Sequence, residues 1–172
     1  VQLDSTVLAA YESWCTASVN DPDPGFWGHW PRYYAEMPVK QDWVQAAAKR
    51  CQTAVVVIGR SAGEDRENTL KKGSFYLTNK EKALLDAVTT AFQKVVLVLN
   101  IGSIMDFAEI DAYGDKISAI LLAWQLGMES GNAVADVLTG QVNPSGRLTD
   151  TIAKTYADYP SQNFGNKAEN RY

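Results

Sequence analysis

Residues 54–58, A-V-V-V-I, form a continuous apolar run that stops at Gly59 and gives way to the polar stretch R-S-A-G-E-D-R-E-N. The run is too short for a helix and apolar on both faces, which predicts a strand buried inside a parallel sheet. Residues 95–99, V-V-L-V-L, and residues 117–123 repeat the pattern and predict two further strands. Between them the apolar period changes. Leu84, Ala87, Val88, Ala91 and Phe92 recur at helical spacing, and Thr78-Asn79-Lys80-Glu81 ahead of them is a capping box. A first helix is expected from a cap at Asp4 or Ser5 to about Val19, with Val7, Leu8, Tyr11, Trp14 and Cys15 on its apolar face. A second is expected over residues 41–50, turning Val44, Ala47, Ala48 and Cys51 inward. A short helix near residues 105–113 and one opened by residues 124–133 complete the set, and Gly140 ends the last as a left-handed cap. Strands alternating with helices predict parallel βαβ units.

The turns divide the chain. Asn20-Asp21-Pro22-Asp23-Pro24-Gly25 opens a loop to about Pro38, and Asn143-Pro144-Ser145-Gly146 is a turn before residues 147–152, read as an edge strand. At 172 residues and 18.9 kDa the chain suits one domain with a sizeable core. A net charge of −4 and a pI near 5.0 leave no electrostatic footprint for nucleic acid or an anionic membrane. A neutral or small polar substrate fits better. Cys15 and Cys51 make no C-x-x-C pair and are expected to pack as small apolar groups. A single histidine, His29, cannot build the usual zinc constellations, so neither a metal nor another cofactor is expected. No run is long enough to span a membrane, and no Asn-x-Ser/Thr acceptor occurs because Asn143 precedes proline. These features favour a reduced, cytoplasmic compartment, or a secreted one if a signal lies ahead of Val1.

In open α/β sheets ligands meet the carboxyl ends of strands, which puts Arg60, Ser61, Gly63, Glu64, Asp65, Arg66 and Glu67 where a site is expected. Gly59-Arg60-Ser61-Ala62-Gly63 matches G-x-S-x-G, the nucleophile elbow of serine hydrolases. That chemistry needs a helix straight after the serine and a histidine later in the chain, and His29 precedes Ser61. The carboxylates offer the other chemistry. Glu64 follows two small residues, so its backbone can approach a ligand closely, and Arg60, Asp65, Arg66 and Glu67 can tune its proton affinity in either direction. Judged by residue type, a solvated carboxylate paired with a neighbouring arginine is the simpler reading. Trp124, at the end of the third strand, could touch a sugar or fill a core, as could Phe26, Trp27, Trp30, Tyr33 and Tyr34. Glu129 starts a helix, where the macrodipole stabilises a carboxylate without any catalytic role.

The stretch V-V-V-I-G-R-S-A-G-E-D-R-E, with K-G-S-F-Y-L beyond it, resembles the carbohydrate-active domain of family 3 glycoside hydrolases, the β-glucosidase and β-xylosidase group. The run W-Q-L-G-M-E-S-G-N-A-V-A-D-V-L-T-G-Q-V-N-P-S-G-R-L, residues 124–148, is similar to that family over some twenty-five consecutive positions. The resemblance departs at Thr149-Asp150-Thr151-Ile152, where proline and a Thr-Phe-type strand are usual. It implies a flavodoxin-like three-layer α/β sandwich over residues 1–162 with a mostly parallel sheet that can carry an antiparallel edge strand, its first strand lying ahead of Val1, and a linker over 163–172. It implies that Glu64 is the general acid/base of a retaining, exo-acting β-glycosidase acting on a β-linked glucoside or xyloside. The nucleophilic aspartate would then come from a (β/α)8 barrel outside this sequence, and Arg60, Asp65, Arg66 and Trp124 would be candidates for substrate contact. The alternatives are a non-catalytic sugar-binding or supporting domain and a serine hydrolase using Ser61.

Overall fold

The computed structural model describes residues 2–17, 33–62 and 68–160. Five helices and three strands follow in chain order: α1 (Ser5–Thr16), α2 (Gln41–Ala48), β1 (Thr53–Arg60), α3 (Asn79–Ala91), β2 (Lys94–Ile101), α4 (Ala108–Asp111), β3 (Ala119–Leu122) and α5 (Ser130–Thr139). The sheet order is β1-β2-β3, all parallel, with Thr53 opposite Lys94, Arg60 opposite Ile101 and Leu99 opposite Leu122. Consecutive order with right-handed crossovers stacks the connecting helices on one face. The core lies there: Val56, Ile58, Leu97, Leu99 and Ile101 from the strands meet Leu84, Leu85 and Val88 of α3 and Val44 of α2.

The predicted caps form. Thr78 Oγ1 accepts from the Glu81 amide while a Glu81 carboxylate oxygen accepts from the Thr78 amide, which closes the capping box of α3. Asp4 caps α1 through the amides of Thr6 and Val7. Gly140 ends α5 at φ 76°, a conformation that glycine adopts without steric cost.

Five expectations are corrected. β1 is not buried on both faces: Val56 and Ile58 are enclosed, whereas Val55 and Val57 are 48% and 55% exposed. The reason is that α2 and α3 cover one face and β1 is the outer strand of the described sheet. Gly59 does not end the strand, which runs on to Arg60. No strand forms over residues 147–152, which are irregular, so the described sheet has no antiparallel edge. Cys15 is exposed rather than packed, and Cys51 is half-buried; both thiols are free. α1 ends at Thr16, short of the expected Val19. α5 opens at Ser130, within the stretch expected to open it. The aromatic cluster of Phe26, Trp27 and Trp30, His29, and the tail 163–172 lie outside the described residues.

Candidate active site at the carboxyl ends of the strands

Glu64, Asp65 and Arg66 lie outside the described residues, as do Gly63 and Glu67, but the chain on either side of them is defined. Arg60 is the last residue of β1 and only 5% exposed. Its side chain shares the helix-covered face with Ile58 and meets the start of α3 there. Nη1 donates to Glu81 Oε1 at 2.5 Å and Nη2 to Glu81 Oε2 at 2.8 Å, a fork-to-fork pair. Nη1 also donates to the Gly59 carbonyl and Nε to the Ser74 carbonyl, and the guanidinium lies 5.6 Å from the centre of the Tyr33 ring. Four of the five N–H donors are therefore engaged within the protein. The Tyr33 ring in turn rests on Gly73, where any Cβ would overlap it and where φ is +82°.

Residues 61 and 62 then cross the ends of the other two strands. The Ala62 carbonyl accepts from Gln125 Nε2 at 3.1 Å, and both side chains lie over Gly102, where a Cβ would overlap each of them. Gly102 is thus required as a floor for the loop. On the far side of the loop Asn68 Nδ2 donates to the Ile104 carbonyl at 2.6 Å, and its Oδ1 accepts from Ser74 Oγ at 2.6 Å. Both flanks of residues 63–67 therefore lie at the rim formed by the carboxyl ends of the strands. Trp124 reaches the same rim after β3, 38% exposed and at φ 57°. A bulky side chain with left-handed backbone is uncommon and concentrates at functional positions.

A cavity of about 710 Å³ opens here, with Trp14, Tyr33, Glu36, Ser61, Asn100 and Gln125 in its wall. Glu36 accepts from the Tyr11 hydroxyl at 3.0 Å and from the Met37 amide at 2.9 Å. Burial holds its carboxyl above the usual carboxylate range, and burial together with the Glu36 charge pushes the Tyr11 phenol up. Glu129, by contrast, is exposed at the start of α5 and accepts from Asn132 Nδ2. No helix follows Ser61 directly among the described residues: residues 68–78 are irregular and α3 begins at Asn79. Among the described residues no three His, Cys, Asp or Glu side chains gather as metal ligands.

Four contributors to this rim carry no local signal of that role in the sequence. Glu81 is visible there only as a capping residue, while Gly102 and Gln125 matter through contacts with a segment some forty to sixty residues away. The hydrogen bond from Gln125 to Ala62 has no periodicity to betray it. Glu36 falls in a stretch with no regular pattern.

The sequence profile of the Glycosyl hydrolase family 3 C-terminal domain matches residues 7–172. A beta-glucosidase from Ruminococcus albus is 42% identical over 167 residues, which cover 96% of this chain and 17% of that protein. The structure of a beta-glucosidase from Paenibacillus barengoltzii superposes with a TM-score of 0.87 at 38% identity, over 93% of this chain and 17% of that one. Beta-glucosidase 3B from Thermotoga neapolitana, solved with glycerol and with glucose, gives TM-scores of 0.79 and 0.78 at 34% and 32% identity. Each match there covers 96% of this chain and 23% of that structure. The chain thus spans about a sixth of the length of the first two proteins and shares their α/β fold. A profile match over nearly the whole chain, joined to a parallel sheet whose strand ends carry the loop, means that the chain belongs to glycosyl hydrolase family 3, as its C-terminal domain.

Proposed function

We propose that this domain supplies the general acid/base, Glu64, to the active site of a retaining, exo-acting β-glucosidase, opposite a nucleophilic aspartate carried by a (β/α)8 barrel elsewhere in the full protein. The carrying observation is that Ala62 and Asn68, either side of Glu64, are both fastened to the carboxyl ends of the strands. In an open α/β sheet that is the ligand-binding edge. Retaining hydrolysis places two carboxyl groups roughly 5–5.5 Å apart. One attacks the anomeric carbon. The other must be protonated when the leaving oxygen departs and ionised when water is activated. A glutamate on a loop at a domain edge meets that requirement, because substrate filling the gap desolvates the carboxyl and raises its proton affinity.

A terminal β-linked glucose is the substrate class, supported by relatives named beta-glucosidases and by the glucose complex of the Thermotoga neapolitana enzyme. Trp124, half-exposed on the same rim, offers an aromatic face to the sugar's C–H side, and Asp65 and Arg66 are the further contacts. The alternative of a serine nucleophile at Ser61 has less support, since among the described residues no helix follows it directly and the one histidine of this sequence, His29, precedes it.

The test is Glu64→Ala in the full-length enzyme. Hydrolysis of alkyl glucosides, which need protonation of the leaving oxygen, should fall about 10²- to 10⁴-fold. Dinitrophenyl glucosides should fall far less and be partly rescued by azide. Wild-type rates on both classes would overturn the assignment, and labelling of Ser61 by a fluorophosphonate would favour the serine reading instead.

A further inference from the structure

α1 is fastened to the domain differently from α2 and α3. Val44 of α2 and Leu84, Leu85 and Val88 of α3 sit in the core, whereas no residue of α1 is buried. Asp4, Tyr11 and Trp14 are spaced by seven and three residues, which turns all three to one side of the helix. Each meets a polar partner there. Asp4 Oδ2 accepts from Arg50 Nε at 2.7 Å, the Tyr11 hydroxyl donates to Glu36 Oε1 at 3.0 Å, and Trp14 Nε1 donates to the Ala35 carbonyl at 3.2 Å. Lys80 Nζ lies 5.7 Å from the centre of the Trp14 ring. Ala35, Glu36 and Arg50 all belong to irregular segments. Polar contacts open to water contribute little each, so a helix held by a few of them opens before a helix seated in the core. The same side of α1 is also a wall of the 710 Å³ cavity, to which Tyr11, Trp14 and Cys15 contribute beside Val57 and Ser61.

We propose that α1 is a strap along this cavity that detaches as a unit while the sheet and α3 stay folded, with the hydrogen bond from Tyr11 to Glu36 as its catch. Detachment removes one wall of the cavity and opens it to solvent. The catch responds to pH through Glu36. Burial raises the pKa of this carboxyl; Tyr11 and the Met37 amide, which donate to it, and the charge of Lys80 act in the opposite direction, and the charge of Glu81 adds to the rise. Cys15, one turn beyond Tyr11, acts on the phenol rather than on the carboxyl. Freed from Tyr11, the carboxyl regains water and its ordinary affinity for a proton. Fastening therefore raises the pKa, so the strap is held best below the ordinary carboxylate range and loosens as pH rises through the fastened value, tenfold for each unit between the two.

Amide hydrogen exchange of the full chain, followed by mass spectrometry on peptides from α1, α3 and β2, tests the strap and its catch separately. Protection of α1 should lie about 100-fold or more below that of α3 and β2. Tyr11→Phe should lower α1 protection about 10-fold at pH 7 and leave α3 and β2 within about 2-fold. Arg50→Ala, which frees the other end of the helix through an exposed side chain, should lower α1 alone by about 3-fold. With the intrinsic pH dependence of exchange divided out, Glu36→Gln should protect α1 better than the wild type at pH 7 and equally at pH 4. Exchange of α1 in step with α3 and β2, or a Tyr11→Phe variant that weakens all three segments alike, would overturn the strap. A Tyr11→Phe variant within about 2-fold of the wild type in α1, or a Glu36→Gln variant that matches it at both pH values, would overturn the catch.

Discussion

Removing the Glu81 carboxylate should destabilise the domain more than a typical core truncation. The Arg60 and Glu81 side chains are 3% and 6% exposed, and Glu81 Oε2 also receives the Thr78 amide at 2.7 Å. Glu81→Ala leaves a guanidinium inside the protein without its counter-ion, at a cost of about 3–5 kcal/mol. It also takes away half of the capping box of α3, worth about 1 kcal/mol. The loss should therefore reach about 4–6 kcal/mol, a large share of the roughly 5–15 kcal/mol that holds a domain together. Replacing both partners, Arg60→Met with Glu81→Leu, should cost less than the single change, because no uncompensated charge remains. Urea unfolding of the 172-residue chain measures both, and melting should drop by about 10–20 °C for the single variant. A double variant as unstable as the two single variants combined would refute the reasoning. So would a Glu81→Ala chain within about 1 kcal/mol of the wild type.

Two further outcomes follow from local geometry. Glu36→Gln keeps an acceptor for the Tyr11 hydroxyl and the Met37 amide and removes the half-buried charge. Burial raises the folded pKa of Glu36, so the folded state holds its proton to higher pH than the unfolded chain, and this carboxyl destabilises the protein as pH rises through that window. The variant should therefore gain stability over wild type at pH 7 and little at pH 4, and the reverse order of urea midpoints would contradict it. Gly131→Ala in α5 meets nothing within 4 Å and should stabilise by about 0.5–1 kcal/mol, whereas Gly140→Ala at φ 76° should cost about 1 kcal/mol or more. Thermal melts that move the same way for both glycines would rule this out.

The elements legible from the sequence are those whose determinants lie within one turn or one strand. Thr78 and Glu81 are three residues apart and need no other part of the chain to satisfy two free amides. Gly140 ends α5 because it alone there tolerates a left-handed backbone, and the apolar runs at 54–58 and 95–99 pair as parallel strands. The family string at 124–148 carried the assignment of the domain in the same way, residue by residue. Exposure of β1 was not legible, because three consecutive valines are silent about which faces receive a helix; packing left Val55 and Val57 in the open.

The sequence by itself determined the order of helices and parallel strands and the polar stretch that follows β1, since periodicity and capping are short-range properties. Only the tertiary structure decided what surrounds the end of β1. Arg60, which from the sequence could have faced substrate or tuned Glu64, is committed to Glu81, twenty-one residues away, because β1 and α3 pack face to face and bury that pair. Gly102, Gln125 and Asn68 acquire their roles in the same manner: hydrogen bonds between strand ends depend on the sheet's register, and register is a property of three strands at once.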